Sequence, residues 1–398
     1  VAAAERMGGA PECTIIGSAE RTSAPNAALA NGALIRALDL NDIYWGPNRG
    51  GHPSDNMATV LTAAERAGAS GRETITAIVA GYEIDGRLRD LAVAESRFDY
   101  TTYSGLVSSA TAGRLLGLDG ERLADAIGLG ATFGPSLGVI RGGHISAAKW
   151  LGTGIASHNG LLNVLLAAEG LSGPRGALDE PNGWGEVIMP GADLARLVAP
   201  AEADFRIEHA SIKAYPCVMT GQTSVAATLR VRGQLPGDPR QVERIEVHLP
   251  DIPMMRSHVE NPHRRRPASR ETADHSIQFL IAAAWLNGEL TPRQFHHERW
   301  LDPEILEVMD RIHIELDAEL NRYPDTFACR MRAVLRSGES AEAEVPYPPG
   351  HHLGGGMNAG EVGGKFDVYA GGRAEVKDFV LNLEAQPSIR PLMDLLRG

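Results

Sequence analysis

The chain has 398 residues, of which 43% are hydrophobic and 22% charged, so it can bury a large core and is not a disordered polypeptide. Its net charge of −12 argues against nucleic acid as the main partner. Because no apolar run reaches the roughly 18 residues that span a bilayer, we expect no membrane partner. Three widely spaced cysteines fit no metal-ligand spacing and predict a reduced, cytoplasmic compartment.

The first 200 residues are predicted to be helical. Apolar residues recur at helical spacing over 58–67, 73–89, 105–118, 122–137 and 146–168, and short glycine-marked connectors separate these segments. Their many alanine and glycine residues predict closely packed helices. Ser54 is placed to cap the helix at 58–67. The chain begins at Val1 within a helical pattern, and we expect a further N-terminal segment to precede it.

The sequence pattern changes near residue 203. Residues 242–249 alternate with a period of two and predict a strand, and 331–336 and 340–345 predict a β-hairpin around the turn at 337–339. Helices are predicted over 272–286 and 303–311. The predicted fold class is therefore α + (α+β). A large helical domain is built from 1–205 and 351–398, and an α+β lid domain, 206–350, is inserted into it.

The densest polar cluster lies between residues 39 and 55. Asp39 is predicted to end a helix, where the macrodipole disfavours negative charge and raises the pKa of the carboxyl, as a proton-transfer residue requires. His52 precedes a helix N-terminus, which favours anions, and Gly50 and Gly51 let the backbone approach a ligand. The alternative is a capping loop whose Asp and His side chains are satisfied locally.

Lysine occurs at only four positions: Lys149, Lys213, Lys365 and Lys377. A lysine kept in an apolar segment suggests a need for an amine, and Lys149 opens a long apolar helix. The alternative is a surface lysine with its stem on Leu151 and its amine in water. Lys213 is interpreted as part of a turn at the entry to the second domain. His275, at the start of a helix, is either a capping residue or a ligand.

Several other patterns favour no site. The adjacent pairs at 296–297 and 351–352 do not place two histidines on one metal, so no metal is predicted. Neither a phosphate-binding loop, nor a dinucleotide fingerprint, nor a nucleophile elbow is present. The basic run at 263–266 is interpreted as a solvated loop.

A set of motifs runs along nearly the whole chain. They are 23–27 with Asn31 and Gly32, Leu38 and Asp39 with Asp42, 51–56, 81–83, 115–119, Lys149, 170–174, Tyr215 and Pro216, 270–276, and 347–350. Together they resemble the MmgE/PrpD family, whose members include 2-methylcitrate dehydratase, cis-aconitate decarboxylase and iminodisuccinate epimerase. The resemblance implies a helical domain with an α+β lid, a homodimer, and a site between the domains that needs no cofactor.

The resemblance also assigns site residues. The acidic residue, histidine and lysine of the family correspond to Asp39, His52 and Lys149. Three positions depart from the pattern: Tyr100 and Thr220 stand where relatives often carry histidine, and Phe279 stands where they often carry tyrosine.

The sequence therefore predicts an enzyme that moves a proton at a carbon α to a carboxylate of a small di- or tricarboxylate. Cationic His52 and Lys149 are expected to neutralise carboxylates, and Asp39 with Tyr100 to act as base and acid, the tyrosine pKa being lowered by nearby cations. The further candidates for binding the substrate are Arg141, Thr220, Gln222 and His275. The alternative is a catalytically silent homologue that binds a carboxylate as a sensor or assembly partner.

Overall fold

Helices dominate a mixed α/β fold in the computed structural model, which describes residues 1–48, 50–94, 96–200 and 204–398. In the first 200 residues the helices are α1 (Ala2–Met7), α2 (Ala24–Ala37), α3 (Met57–Ala67), α4 (Gly71–Asp90), α5 (Thr101–Leu115), α6 (Gly120–Phe133), α7 (Ala148–Ala168) and α8 (Trp184–Val187). The predicted helices of this region are confirmed to within a few residues at their ends. Small residues pack them closely: a Cβ on Gly32 of α2 would lie 2.8 Å from the Cα of Gly154 of α7.

Short strands interrupt the region that was expected to be wholly helical. They are β1 (Cys13–Thr14), β2 (Arg21–Thr22), β3 (Asp42–Trp45) and β4 (Gly50–Gly51), and β5 (Ser211–Ile212) pairs with β3 from beyond residue 204. The sheet order is β4–β3–β5, and all of its pairs are antiparallel. Strands of two to four residues are too short to show alternation, which is why the sequence did not reveal them.

The predicted cap of α3 is also wrong. Ser54 lies in a 3₁₀ turn before the helix, and its hydroxyl donates a hydrogen bond to the Asp42 carboxylate at 2.5 Å. This bond ties the turn to β3, so that the segment carrying His52 is held against the strand that carries Asp42. Gly51 permits another close approach, because a Cβ there would lie 1.8 Å from Nη1 of the buried Arg89.

The second region contains a four-stranded sheet of order β7–β6–β8–β9. Its elements are α9 (Gln222–Gln234), β6 (Val242–Pro250), α10 (Pro253–Glu260), α11 (Pro262–Arg265), α12 (Arg270–Ala273), α13 (Ile277–Asn287), α14 (Pro303–Asp310), β7 (Ile312–Asp317), β8 (Cys329–Leu335) and β9 (Ser340–Val345). Strand β6 is parallel to β7 and antiparallel to β8, which forms a hairpin with β9. The predicted strand and hairpin are confirmed.

The predicted helix at 272–286 is broken in two. Helix α12 ends at Ala273, and the Ser276 side chain caps α13 by accepting a hydrogen bond from the Phe279 amide at 3.2 Å. The break leaves Asp274 and His275 in the connection between two helices. Both side chains are buried there.

The apolar cores follow the two regions. One cluster of buried side chains draws its members from residues 217–345 alone, and separate clusters are formed by the N-terminal helices. The last helices are α15 (Ala359–Ala370), α16 (Ala374–Leu381) and α17 (Arg390–Leu395). Val376, Ile389 and Leu392 pack with Ala64 and Ala69, so α16 and α17 contact the N-terminal helices. The division into a helical domain and a lid stays a prediction.

Two predictions from composition can be compared with the structure. Within the described residues, none of the helices combines the length and apolar character that crossing a membrane requires. Cys13, Cys217 and Cys329 are buried free thiols.

Candidate functional site

A cavity of about 240 Å³ lies where the N-terminal helices meet the second region. Its polar lining residues are Asp39, His52, Tyr100, Arg141, Lys213, Thr220, Ser257, His258, Arg264 and His275. Six of the eight predicted site residues are thus brought to one cavity from segments far apart in the sequence. Lys149 and Gln222 are the two that do not line the cavity, but Lys149 forms an ion pair with Asp39, which does.

Three cations surround the Asp39 carboxylate at the end of α2. Lys149 Nζ lies 3.0 Å from Oδ2, Lys213 Nζ lies 2.7 Å from Oδ1, and Arg36 Nη1 lies 3.4 Å from Oδ1. Burial alone would raise the pKa of Asp39, but the charges of Lys149, Lys213 and Arg36 outweigh burial and hold it well below its ordinary value. The expectation of a raised pKa is wrong, because direct ion pairs act more strongly than the partial charge of a helix end.

The two lysines of this cluster are buried, each with 2% of its surface exposed. Lys149 Nζ lies also 3.6 Å from Asp274 Oδ1, so the alternative of a surface amine in water is wrong. Lys213 does follow β5 in a turn, as expected, but its amine reaches the cavity. Burial lowers the pKa of Lys213 despite the opposing charge of Asp39, so this amine gives up its proton more readily than an exposed lysine.

The His52 ring is oriented by a backbone carbonyl. Its Nδ1 lies 2.5 Å from the carbonyl oxygen of Asp42, which can only accept, so Nδ1 carries the proton and Nε2 is the free nitrogen. Burial, together with the charges of Arg36 and Lys213, holds the pKa of His52 well below its ordinary value. His52 is therefore neutral at pH 7, and the expectation that it acts as a cation is wrong.

Tyr100 keeps its proton. Burial raises the pKa of its phenol above the ordinary value, although Arg141 and Arg36 oppose the shift. Arg36 Nη2 donates a hydrogen bond to the phenol oxygen at 2.5 Å, and the His52 ring lies edge-on at 5.2 Å between centroids. The expectation that nearby cations lower the pKa of Tyr100 is wrong, because desolvation of the phenolate has the larger effect. The hydroxyl remains a proton donor.

Two further histidines, His258 and His275, lie on the side of the cavity formed by residues 218–275. His275 Nδ1 donates a hydrogen bond to the Asp274 carboxylate, which leaves Nε2 unprotonated in the neutral ring. The His258 ring stacks on His275 with centroids 6.4 Å apart, and His258 Nδ1 lies 3.1 Å from the Thr220 hydroxyl. Burial is the main cause that holds the pKa of both imidazoles well below its ordinary value.

Most arginines near the cavity have carboxylate partners. Arg141 Nε lies 2.5 Å from Asp99 Oδ2, with its guanidinium over the Tyr100 ring at 4.1 Å from the centroid. Arg36 Nε lies 3.2 Å from Asp55 Oδ1. The two arginines place positive charge around the ring of Tyr100, and their carboxylate partners compensate that charge.

Comparison with known proteins identifies the family. The model of the MmgE/PrpD N-terminal domain matches residues 1–197, and that of the C-terminal domain matches residues 215–382. The chain belongs to the MmgE/PrpD family.

Similar proteins within this family include two decarboxylases and a dehydratase. The chain is 27% identical to mouse (Mus musculus) cis-aconitate decarboxylase over 337 residues, which are 78% of this chain and 65% of that protein. It is 28% identical to 2-methylcitrate dehydratase of Cupriavidus necator over 349 residues, 82% of this chain and 70% of the relative. It is 24% identical to Aspergillus terreus cis-aconitate decarboxylase over 414 residues, 96% of this chain and 83% of the relative. The match spans less than two thirds of the mouse protein.

The three departures from the family pattern lie in different surroundings. Tyr100 and Thr220 line the cavity, and Thr220 contacts His258, so an imidazole is present next to the position where relatives often carry histidine. Phe279 is fully buried, packs against Phe295 with centroids 5.5 Å apart, and is not among the residues that line the cavity. The change at 279 therefore belongs to the core of this MmgE/PrpD protein.

Gln222 does not occupy the substrate-contacting place that was expected. Its amide nitrogen donates to the carbonyl oxygens of Tyr215 at 2.8 Å and Cys217 at 3.1 Å, and its oxygen accepts from the Tyr215 amide at 3.2 Å. The side-chain amide of Gln222, the first residue of α9, is thus already hydrogen-bonded to the turn that precedes the helix. Gln222 fixes the course of the chain after Lys213.

One group of side chains has the composition of a metal site. Ligand atoms of Asp39, Asp274 and His275 lie within 4.8 Å of one another. The Lys149 ammonium already lies between the two carboxylates, at 3.0 and 3.6 Å, and His275 is bonded to Asp274. This lysine supplies the positive charge that a metal ion would otherwise bring, so the donor set fits an ion poorly.

Four residues at the site were not predicted from the sequence: Lys213, His258, Arg264 and Asp274. The scarcity of lysine was a usable signal for Lys213. A lone histidine in an unremarkable helix gave no signal for His258, and the run at 263–266, interpreted as a solvated loop, contains the buried Arg264. That interpretation is wrong for Arg264, although Arg265 and Arg266 beside it are exposed.

Proposed function

We propose that this protein is a cofactor-independent lyase or isomerase that moves a proton at a carbon α to a carboxylate of a small di- or tricarboxylate. The observation that carries the proposal is the cavity itself, where neutral imidazoles and a protonated phenol face fixed cations. The names of the relatives, 2-methylcitrate dehydratase and cis-aconitate decarboxylase, support dehydration or decarboxylation of such an acid. Epimerisation would use the same proton transfer.

In the proposed mechanism, Lys213 and Arg141 bind substrate carboxylate and stabilise the enolate-like charge that develops as the proton leaves. His275 accepts the proton at Nε2, and the Asp274 carboxylate bonded to its Nδ1 stabilises the imidazolium that forms. Tyr100 donates a proton to the departing group. Asp39 is ionised and surrounded by three cations, so it acts by holding Lys149 and Lys213 in place rather than as a base.

A proton-exchange experiment tests the proposal directly. The purified protein is incubated in heavy water with citrate, 2-methylcitrate, cis-aconitate or iminodisuccinate, and the substrate C–H signals are followed by NMR. We expect at least one of these acids to exchange a proton or to turn over, and Tyr100→Phe to slow the formation of product. An acid that binds without exchange or turnover would instead support the catalytically silent homologue.

We also propose the finer architecture, with 206–350 as a lid over a helical domain formed by 1–205 and 351–398. Support comes from the separate apolar cores and from the packing of α16 and α17 on the N-terminal helices. A lid at this junction would exclude water from the cavity, which strengthens every charge interaction within it. The buried free thiols agree with the cytoplasmic location that we propose.

A second copy of this chain is the proposed partner of α7. Leu151, Ile155, Leu162 and Leu166 follow one another at intervals of four, seven and four residues along the helix, and 37–44% of each is exposed. This spacing places them on a single face, where an apolar stripe is typical of a subunit interface.

We therefore predict a homodimer whose interface includes this face of α7. Light scattering at micromolar concentration should give twice the chain mass. Leu162→Glu should give a monomer, because it places a charge in the apolar stripe, whereas Leu301→Glu, at an exposed leucine outside α7, should leave the dimer intact. A monomeric wild-type protein, or a dimer that survives Leu162→Glu, would contradict the prediction.

A further inference from the structure

Arg264 of α11 differs from the other buried arginines near the cavity. It is 7% exposed and lines the cavity, yet its Nε and Nη1 are buried without a hydrogen-bond partner. Within the described ranges its guanidinium also lacks a carboxylate within salt-bridge distance, whereas Arg36, Arg89 and Arg141 each have one.

An unpaired buried guanidinium is costly, because its charge has left water without gaining a compensating partner. Burial and the charge of Arg141 lower the pKa of Arg264, but only to about 10, so the group is still charged at neutral pH. The fold therefore holds a cation, with free donors, in a cavity that has room for a small molecule. Five N–H donors in a planar fork match a carboxylate in particular.

Two neutral imidazoles and the carboxylate of Asp274 lie within range of the Arg264 charge. His258 and His275 are close enough for the Arg264 charge to lower their pKa, and both rings are neutral. The other polar lining groups from this part of the chain are the hydroxyls of Thr220 and Ser257. Asp39, in contrast, is already occupied by three cations. An anion that binds Arg264 meets hydrogen-bonding groups there, and the nearby Asp274 carboxylate is already paired with Lys149 and His275.

We propose that Arg264 forms a second carboxylate subsite, which binds one carboxylate of a substrate whose other carboxylate is held by Lys213 and Arg141. The inference rests on the proposed function and adds to it the residue that binds a second substrate carboxylate. The site selects di- or tricarboxylates over monocarboxylates, and α11 carries the selecting group.

The test compares Arg264→Gln with the control Arg265→Gln, which removes the exposed neighbouring arginine of the same helix. Calorimetry measures the binding of tricarballylate, which has three carboxylates and no hydroxyl to eliminate, and of butyrate, which has one. We expect Arg264→Gln to weaken tricarballylate about 10- to 100-fold, the range for a charge-assisted hydrogen-bonded pair. Butyrate binding should change less than about threefold. Arg265→Gln should change neither.

Equal weakening of both ligands, or unchanged binding of tricarballylate, would overturn the subsite. Thermal unfolding adds a second measurement: without ligand, Arg264→Gln should be at least as stable as the wild type, since an uncompensated buried charge has been removed. A large loss of stability together with unchanged binding of tricarballylate would assign Arg264 a structural role and overturn the proposal. If Arg264→Gln does not fold, Arg264→Lys decides: it keeps the charge without the fork, so it must still weaken tricarballylate more than butyrate.

Failure of the subsite can be told apart from failure of the proposed function. Binding is measured without turnover, so selective loss of tricarballylate supports the subsite even in a protein that exchanges no substrate proton. Conversely, turnover of a tricarboxylate with the same KM in Arg264→Gln and Arg265→Gln would overturn the subsite and leave the proposed reaction standing.

Discussion

Replacing Asp39 with asparagine is expected to lower the free energy of unfolding by about 3–5 kcal/mol, the range for removing one partner of a buried ion pair. The substitution keeps the size of the side chain but leaves Lys149 and Lys213 buried without the anion that they share. Asp274 still lies 3.6 Å from Lys149, so the loss of the Asp39 charge affects Lys213 more than Lys149. We expect the double variant D39N/K213M to recover part of the stability, because it removes that charge as well.

The control is Asp367→Asn. Asp367 forms a lysine–aspartate pair of similar length, 2.8 Å to Lys377, but both side chains are partly solvent-exposed. Its loss should cost less than about 1 kcal/mol. Urea unfolding followed by circular dichroism measures all the variants. Equal midpoints for D39N and D367N would show that the buried cluster does not stabilise the fold.

The difference in stability between the wild type and D39N should depend on pH in a definite direction. Asp39 has a folded-state pKa well below the ordinary value of 3.8, so its contribution is fully present above that value and is lost as the pH falls through the folded-state pKa. In strong acid the protonated carboxyl of Asp39 is neutral, like the side-chain amide of the D39N variant. The stability curves of the wild type and D39N should therefore converge at low pH and separate towards neutrality.

The regular elements could be predicted where their periodicity was long. Residues 242–249 alternate over eight positions, and the helices of the first 200 residues repeat over three or more turns. Strands β3 and β5 could not be found in this way, because they pair residues near 42 with residues near 211, and β4 consists of only two residues paired with β3. The break at Asp274 depends on one capping residue, Ser276, which a helical pattern does not distinguish from an ordinary helix interior.

The site could be predicted in much of its membership but not in its charge states. Asp39, His52 and Lys149 were recognised by residue type and by resemblance. Two of the expected roles and one expected pKa shift changed once distances were known: Asp39 became a fixed anion, His52 a neutral ring, and Tyr100 an acid whose pKa is raised rather than lowered. Each change depends on burial or on the charge of a side chain distant in sequence. Such effects act through space, so local patterning carries no trace of them.

Lys213 and Arg264 show the two ways in which a site residue is missed. The argument from scarcity that singled out Lys149 applies equally to Lys213, but the turn around it offered a sufficient local explanation. Arg264 lies among three consecutive arginines, and only the fold distinguishes the buried one from its exposed neighbours. The exposed pair makes the run resemble a solvated loop, which is the commoner origin of such a pattern.

The second large effect is expected at His275, the proposed proton acceptor. His275→Gln keeps a polar side chain but removes the basic nitrogen, and loss of a general base typically costs about 10²- to 10⁴-fold in rate. Exchange of the substrate proton in heavy water, or turnover of whichever acid is accepted, measures the effect. His297→Gln is the control, because His297 is an exposed histidine outside the cavity lining. Retention of full exchange in His275→Gln would remove this residue from the mechanism.

The pH profile distinguishes a base supported by Asp274 from an isolated imidazole. Burial, with help from the charge of Asp39 and against that of Lys149, raises the pKa of Asp274 to about 6, whereas the pKa of His275 lies well below its ordinary value. As the pH falls through about 6, Asp274 gains a proton and can no longer compensate the imidazolium that forms on His275. The logarithm of kcat/KM should therefore fall below pH 6 in the wild type. Asp274→Asn cannot titrate there, so its profile should be lower at pH 7 but flat through this region. A limb near pH 6 that persists unchanged in Asp274→Asn would assign the titration to another group and contradict the paired role of Asp274 and His275.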